Sequence, residues 1–148
     1  MIVVVDTNIL FSACLTPDGR IFEILFNTSR QLQIASSYYA IEELHQHKAK
    51  LIPLSRHTDQ EIETLLMAVL KQVEFFGEDI IEEKYWREAD RLTMGIDSKD
   101  ISFVALTLQT GGLLWTGDKK LANHLKAMQF DQVMNTGELY ELLGIGES

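Results

Sequence analysis

A chain of 148 residues and 16.9 kDa, 46% hydrophobic and 24% charged, is long enough for a single domain with a real core, expected to span residues 1–148. The lone Cys14 excludes an internal disulfide and a cysteine-built zinc site, and no run approaches the about 20 apolar residues that span a bilayer. An excess of 22 acidic over 13 basic residues, net −9, argues against indiscriminate attraction to nucleic acid, although neutralising four carboxylates at one site would bring −9 to −5.

Met1 leads straight into Ile-Val-Val-Val without the basic region and long apolar run of a secretory signal, so a reducing cytoplasm is the expected location. Residues 2 to 5 are a β-branched run of the buried parallel-strand type, punctuated by Asp6-Thr7-Asn8. A crossover follows. Pro17-Asp18-Gly19 makes a turn, and Ile21, Ile24, Leu25 and Thr28 recur at helical spacing. Gln31 to Ala35 reads as a second strand, with Ser36 or Ser37 capping a helix through about Lys50.

Thr58-Asp59-Gln60-Glu61 has the capping-box pattern, and Ile62, Leu65, Leu66, Val69 and Val73 mark one apolar helical face after it. Val73 to Phe76 reads as a third strand and Ile80 to Met94 as a helix stopped by Gly95. Asp97-Ser98-Lys99-Asp100 then opens a helix whose Ile101, Val104, Ala105 and Leu108 share a stripe and which ends near Gly111-Gly112. Phe103 and Leu106 lie off the stripe, so this helix should be covered on more than one side. Leu113 to Trp115 is a fourth strand, Thr116-Gly117-Asp118 its turn, and Lys119 to Met128 the next helix. Gln132 to Met134 and Glu138 to Leu143 close the pattern. Strands alternating with helices imply crossovers, hence a three-layer α/β/α domain around a central parallel sheet. Ligands bind such sheets beyond the carboxyl ends of the strands, where Asp6 and Asp118 fall.

Each acid has a structural explanation of its own. Asp6 can cap the backbone that follows it, Asp118 can cap the helix from Lys119, and Asp97 can cap the helix whose first turn holds Asp100. Glu43 lies inside a helix, away from the Ile41, Leu44 and Leu51 face and alongside Tyr39 and His47; its simplest explanation is a solvated side chain paired with His47. Other residues say less. Lys99, Lys119 and Lys120 could touch phosphates but read more simply as solvated charge. His45 and His47 sit on different sides of a helix and make a poor zinc pair. Tyr38 and Tyr39 could stack bases, with at least one of them buried.

Taken together, strand-Asp-Thr-Asn at the start, Ser37 six residues before Glu43-Leu44, Asp100 opening an apolar helix and Trp115-Thr116-Gly117-Asp118 after a late strand resemble the PIN-domain family. The resemblance implies that Asp6, Glu43, Asp100 and Asp118 hold divalent metal, Mg²⁺ or Mn²⁺, with Asn8 and Thr116 supporting them and Asp97 as an additional, outer ligand. Glu43 is preferred over Glu42 because it precedes Leu44. The resemblance further implies a ribonuclease acting on single-stranded RNA, a possible antitoxin protein as partner and a homodimer. Oxygen ligands suit these ions, which keep water when few carboxylates bind them and so can activate it against a phosphodiester. The alternative is a non-catalytic nucleic-acid-binding or interaction domain of the same fold. A phosphatase on a similar sheet would place a second aspartate where Asn8 stands.

Overall fold

Four successive β-branched residues give β1 (Ile2–Val5), in which Val3, Val4 and Val5 are wholly buried. The computed structural model describes residues 1–27, 32–54, 56–96 and 98–144. Strand β1 occupies the middle of a five-stranded sheet, between β2 (Gln33–Ser37) and β4 (Leu113–Trp115). Strands β3 (Glu74–Phe76) and β5 (Val133–Met134) form the two edges. The order is β3-β2-β1-β4-β5 and every pairing is parallel. Val4 lies opposite Ala35 and Val5 opposite Trp115, which aligns the carboxyl ends of the central strands.

Helices flank this sheet in the expected α/β arrangement. Between the strands run α1 (Thr7–Leu15), α2 (Arg20–Asn27), α3 (Tyr38–Leu54), α4 (Asp59–Leu70), α5 (Glu83–Leu92), α6 (Ile101–Thr110) and α7 (Lys119–Ala127), and α8 (Thr136–Leu143) follows the last strand. Helix α1 packs with α2, α3 and α4, while α6 lies across β1, β2 and β4 and against α5. Residues Ser102 to Thr107 are all buried, so α6 is covered on every side, as the off-stripe Phe103 and Leu106 implied. Gly111, at φ 69°, ends it in the left-handed conformation. No helix among the described residues is long and apolar enough to cross a membrane.

Several boundaries differ from the sequence reading, each for a local reason. Helix α1 starts immediately after Asp6. Its Ile9, Leu10, Ala13 and Cys14 are all buried, and a segment apolar on nearly every side carries no clear periodicity. Strand β2 continues through Ser36 and Ser37, whose hydroxyls bond the Val5 carbonyl (2.7 Å) and the Ser102 hydroxyl (3.1 Å). Helix α3 runs to Leu54, past the expected end at Lys50, with Pro53 in its last turn. Helix α5 begins at Glu83, not Ile80, because Gln109 of α6 clamps the preceding turn. Its side-chain oxygen accepts the Glu82 N–H (2.6 Å) and its nitrogen donates to the Ile80 carbonyl (2.8 Å). Val73 belongs to the turn between α4 and β3.

The capping box at Thr58 and Glu61 is formed as read. A second one, Asn135 with Glu138, starts α8 two residues before the expected Glu138. Thr28, Gln31 and Asp97, assigned above to a helix, a strand and a cap, lie outside the described residues.

Gly112, directly before β4, lies close against β1: a Cβ added there would lie 2.5 Å from the Ile2 carbonyl oxygen, a backbone atom that cannot swing aside. Gly112→Ala should therefore destabilise the fold by about 1–3 kcal/mol, the cost of overpacking. Gly117→Ala, where an added Cβ meets nothing within 4 Å, is the control. Urea denaturation with unchanged slope measures both, and equal midpoints would show that the close approach is relieved at no cost.

Candidate active site

The chain leaves β1 toward β2 and β3 on one side, then returns to place β4 and β5 on the other. Successive connections thus diverge at β1, opening a crevice at the carboxyl ends of β1 and β4. Asp6 directly follows β1, and Asp118 follows β4 by three residues.

Asp6 is 2% exposed and acts as N-cap of α1. Its Oδ1 accepts the Ile9 N–H at 3.0 Å and its Oδ2 accepts the Thr116 hydroxyl at 2.5 Å. Burial pushes this carboxyl up from 3.8 to about 6; the bonds from Thr116 and Ile9 oppose that rise, and the negative charges of Asp118 and Glu43 add to it. The Thr116 hydroxyl also accepts the Asp118 N–H at 3.1 Å, so one side chain ties together the ends of β1 and β4. Asp118 caps α7 through the Leu121 N–H, 3.1 Å from its Oδ1.

Glu43 comes from α3 and is half-buried. Its Oε1 accepts the Thr7 hydroxyl at 2.6 Å across α1 and α3, so the solvated Glu43–His47 pair expected from the helical wheel gives way to a tertiary bond. Asp100 ends a single 3₁₀ turn, Ser98–Asp100, and holds the N-cap position of α6 without a side-chain capping bond.

Asp6, Glu43, Asp100 and Asp118 line one cleft of about 270 Å³, together with Thr7, Asn8, His47, Lys99 and Phe103. The topology thus brings together the four acids that the sequence singled out. Asn8 is on the cleft wall, and Thr116 stands behind it, holding Asp6 and Asp118. Lys99 reaches the cleft; Lys119 lines a smaller neighbouring hollow beside Asp118. His47 reaches the cleft while His45 is exposed, in keeping with their different sides of α3.

Thr7 is the contributor that the sequence reading did not single out, and its one signal was a hydroxyl in the turn next to Asp6. Among the described residues, no group of three or more His, Cys, Asp or Glu side chains is arranged to hold a metal ion. Both oxygens of Asp6 and one each of Glu43 and Asp118 are turned toward donors of the chain itself. A carboxylate oxygen offers more than one acceptor direction, so these bonds orient the acids without consuming them.

The sequence matches the PIN domain family over residues 4–135, and the chain belongs to that family. Its backbone is similar to the crystal structure of VapBC2 from Rickettsia felis bound to a DNA fragment from their promoter, with TM-score 0.69 at 19% identity over 91% of this chain and 98% of that one. It is likewise similar to PAE2754 from Pyrobaculum aerophilum, with TM-score 0.67 at 19% identity over 96% and 88% of the two chains. VapBC-1 from nontypeable Haemophilus influenzae aligns with TM-score 0.60 at 14% identity over 93% and 99%. At these identities the likeness is one of fold. No curated protein matches the sequence.

The raised carboxyl of Asp6 makes stability depend on pH. With a pKa of 3.8 unfolded and about 6 folded, the unfolded chain releases this proton first. The stabilising contribution of the protonated form is complete below the unfolded value and is lost as pH rises through the folded one, a change of about 3 kcal/mol. Asp6→Asn, measured in EDTA, should thus gain on the parent between about pH 4 and about pH 7. Parallel denaturation midpoints for the two proteins across that window would show that Asp6 is not held away from its ordinary ionisation.

Proposed function

We propose that this PIN-domain protein is a metal-dependent nuclease that hydrolyses phosphodiester bonds of single-stranded RNA, formed by residues 1–148 as one domain. The observation that carries the reading is the cleft in which four carboxylates from four separate elements meet at the diverging ends of β1 and β4. A module that only bound an anionic polymer would gain nothing from concentrating like charges there. The donor set is all oxygen and fits Mg²⁺ or Mn²⁺ better than zinc. Asp6, Glu43, Asp100 and Asp118 are the proposed ligands and catalytic acids, with Asp97 as an outer ligand. A divalent cation held there supplies an activated water and neutralises charge on the leaving oxygen.

The chain's own side chains set the geometry. Thr116 and the Ile9 N–H fix Asp6, Thr7 fixes Glu43, and the Leu121 N–H fixes Asp118, so three acids are oriented before any ion arrives. Asn8 and Lys99, on the cleft wall, are placed to receive phosphate oxygens of the strand. The cost of holding Asp6 charged without a cation is a further support, because a bound ion relieves it.

PIN domains are usually nucleases, and two similar folds are those of VapBC2 and VapBC-1. We extend this to the chain as a cytoplasmic toxin-like nuclease that pairs with an antitoxin protein and forms a homodimer. The net charge of −9 favours one rival, a non-catalytic interaction domain on the same fold.

The purified protein should cleave single-stranded RNA with Mn²⁺ or Mg²⁺ and leave 5′-phosphate and 3′-hydroxyl ends, since water attacks phosphorus directly. Cleavage that survives EDTA, or a 2′,3′-cyclic phosphate product, overturns this chemistry. Asp100→Asn should lose more activity than the about 10–100-fold typical of an outer-sphere partner, and Asp97→Asn should stay within it. Equal losses would mean that the two roles are wrongly divided.

Binding without cleavage has its own readout. Mn²⁺ at about 100 times its dissociation constant should stabilise the parent by about 2.7 kcal/mol. Asp118→Asn, in which Asn can still cap α7, should fold as well as the parent without metal and gain much less from it. An identical Mn²⁺ shift in parent and variant would leave Asp118 a capping residue only.

A further inference from the structure

The two adjacent tyrosines at the start of α3 diverge. Tyr39 turns inward against Phe103, ring centroids 6.3 Å apart, and Phe103 is itself a wall of the acidic cleft. Tyr38 turns outward and is 53% exposed, although an aromatic ring of that size is ordinarily well covered. Its ring is backed by Phe75 of β3 at 6.2 Å between centroids and 27° between planes. Gly77, just past β3, lies alongside it, and the space that its missing side chain leaves is taken by the Asp79 carboxylate.

Tyr38 is thereby held from one side and open on another. It is also on the right edge of the sheet. It directly follows β2, the neighbour of β1, and strands lie about 4.8 Å apart, so it stands one strand from Asp6 on the side away from Asp118. The preceding residue, Ser37, bonds Ser102 of α6, two residues after Asp100.

We infer that Tyr38, stiffened by Phe75, is a stacking platform for one unpaired nucleobase of a single-stranded RNA whose phosphodiester enters the acidic cleft. This deepens the proposed nuclease reading and rests on it. The ring has an apolar face for any base, and a base within a duplex has no free face to offer. The platform therefore selects single strands without selecting a sequence. It also supplies attraction that the net charge of −9 does not. Tyr38 acts here as a positioning residue, since it touches the strand and not the reacting atoms.

The test compares parent, Tyr38→Ala and Tyr38→Trp on one single-stranded RNA with Mn²⁺, with thermal melting as the check on folding. Tyr38→Ala should raise KM by about 5- to 160-fold with kcat nearly kept, the fold-change of losing one base–aromatic stack. It should leave the melting temperature and its Mn²⁺ shift close to those of the parent, and Tyr38→Trp should restore KM. A single abasic nucleotide walked along the RNA should raise KM for the parent at one position and add nothing further there in Tyr38→Ala. A parent that cleaves, with a KM that Tyr38→Ala does not move, overturns the stacking platform and leaves the nuclease reading standing. A Tyr38→Ala effect that sedimentation traces to a lost dimer, with no abasic position matching it, also overturns it. A parent that neither cleaves nor binds RNA overturns the nuclease reading, and the platform with it.

Discussion

Asp6 is buried at the end of the central strand with no cation among the described residues bonded to it: Ile9 and Thr116 donate to its two oxygens, and the charges that act on it are those of two other acids. Neutral hydrogen bonds recover part of the cost of removing a carboxylate from water, and repulsion from Asp118 and Glu43 adds to what remains. A fold that invested only in stability would place an apolar or amide side chain here. The rest of the site is arranged around this strained acid. Thr116 holds it to the end of β4, and α1 uses it as a cap, so it is fixed in place whether or not it carries its charge.

The sheet order explains why the other acids arrive at the same place. With β1 central and the connections parting on either side of it, the crevice opens at the carboxyl ends of β1 and β4. Asp118 comes with β4, Glu43 with the helix that leaves β2, and Asp100 with the helix that returns to β4. Helix α6 is covered by β1, β2, β4 and α5, and that packing sets where its N-terminal Asp100 stands. Each acid thus sits on an element whose packing was settled by apolar residues far from the cleft.

This division explains what could be read from the sequence. The strands β1 and β4, the box at Thr58 and the covered helix behind Asp100 carry local signals, and those signals fix the element that bears each acid. The partners of the acids carry no local signal of that kind, and Thr116 is named only through the family resemblance. Thr7 reaches Glu43 across 36 residues and Thr116 reaches Asp6 across 110, and hydroxyls of this kind are common on any surface. Gln109, which ends the turn before α5, was illegible for the same reason: it acts on a backbone 27 and 29 residues away. Helix α1 was lost in the opposite way, through an excess of apolar residues that left no period to detect.

The acidity of the chain bears differently on the fold's surface and on its cleft. On α5, Arg87 pairs with Glu83 and Arg91 with Glu88, while Lys48 of α3 pairs with Glu63 of α4; this basic charge is committed to local carboxylates. Screening confines such surface charges to about 8 Å at physiological salt, so they neither draw a nucleic acid in nor drive it from the cleft. Attraction must then arise within the cleft and at its rim. On the proposed reading, a cation held by the four acids there would reverse their repulsion of phosphate, Lys99 would add a positive charge, and the exposed Tyr38 ring would ask for no charge at all. If the proposed nuclease reading holds, an acidic chain of this build would hold an anionic strand only where the ion is bound and the bases are unpaired, and both conditions would make it selective in a way that a basic surface is not.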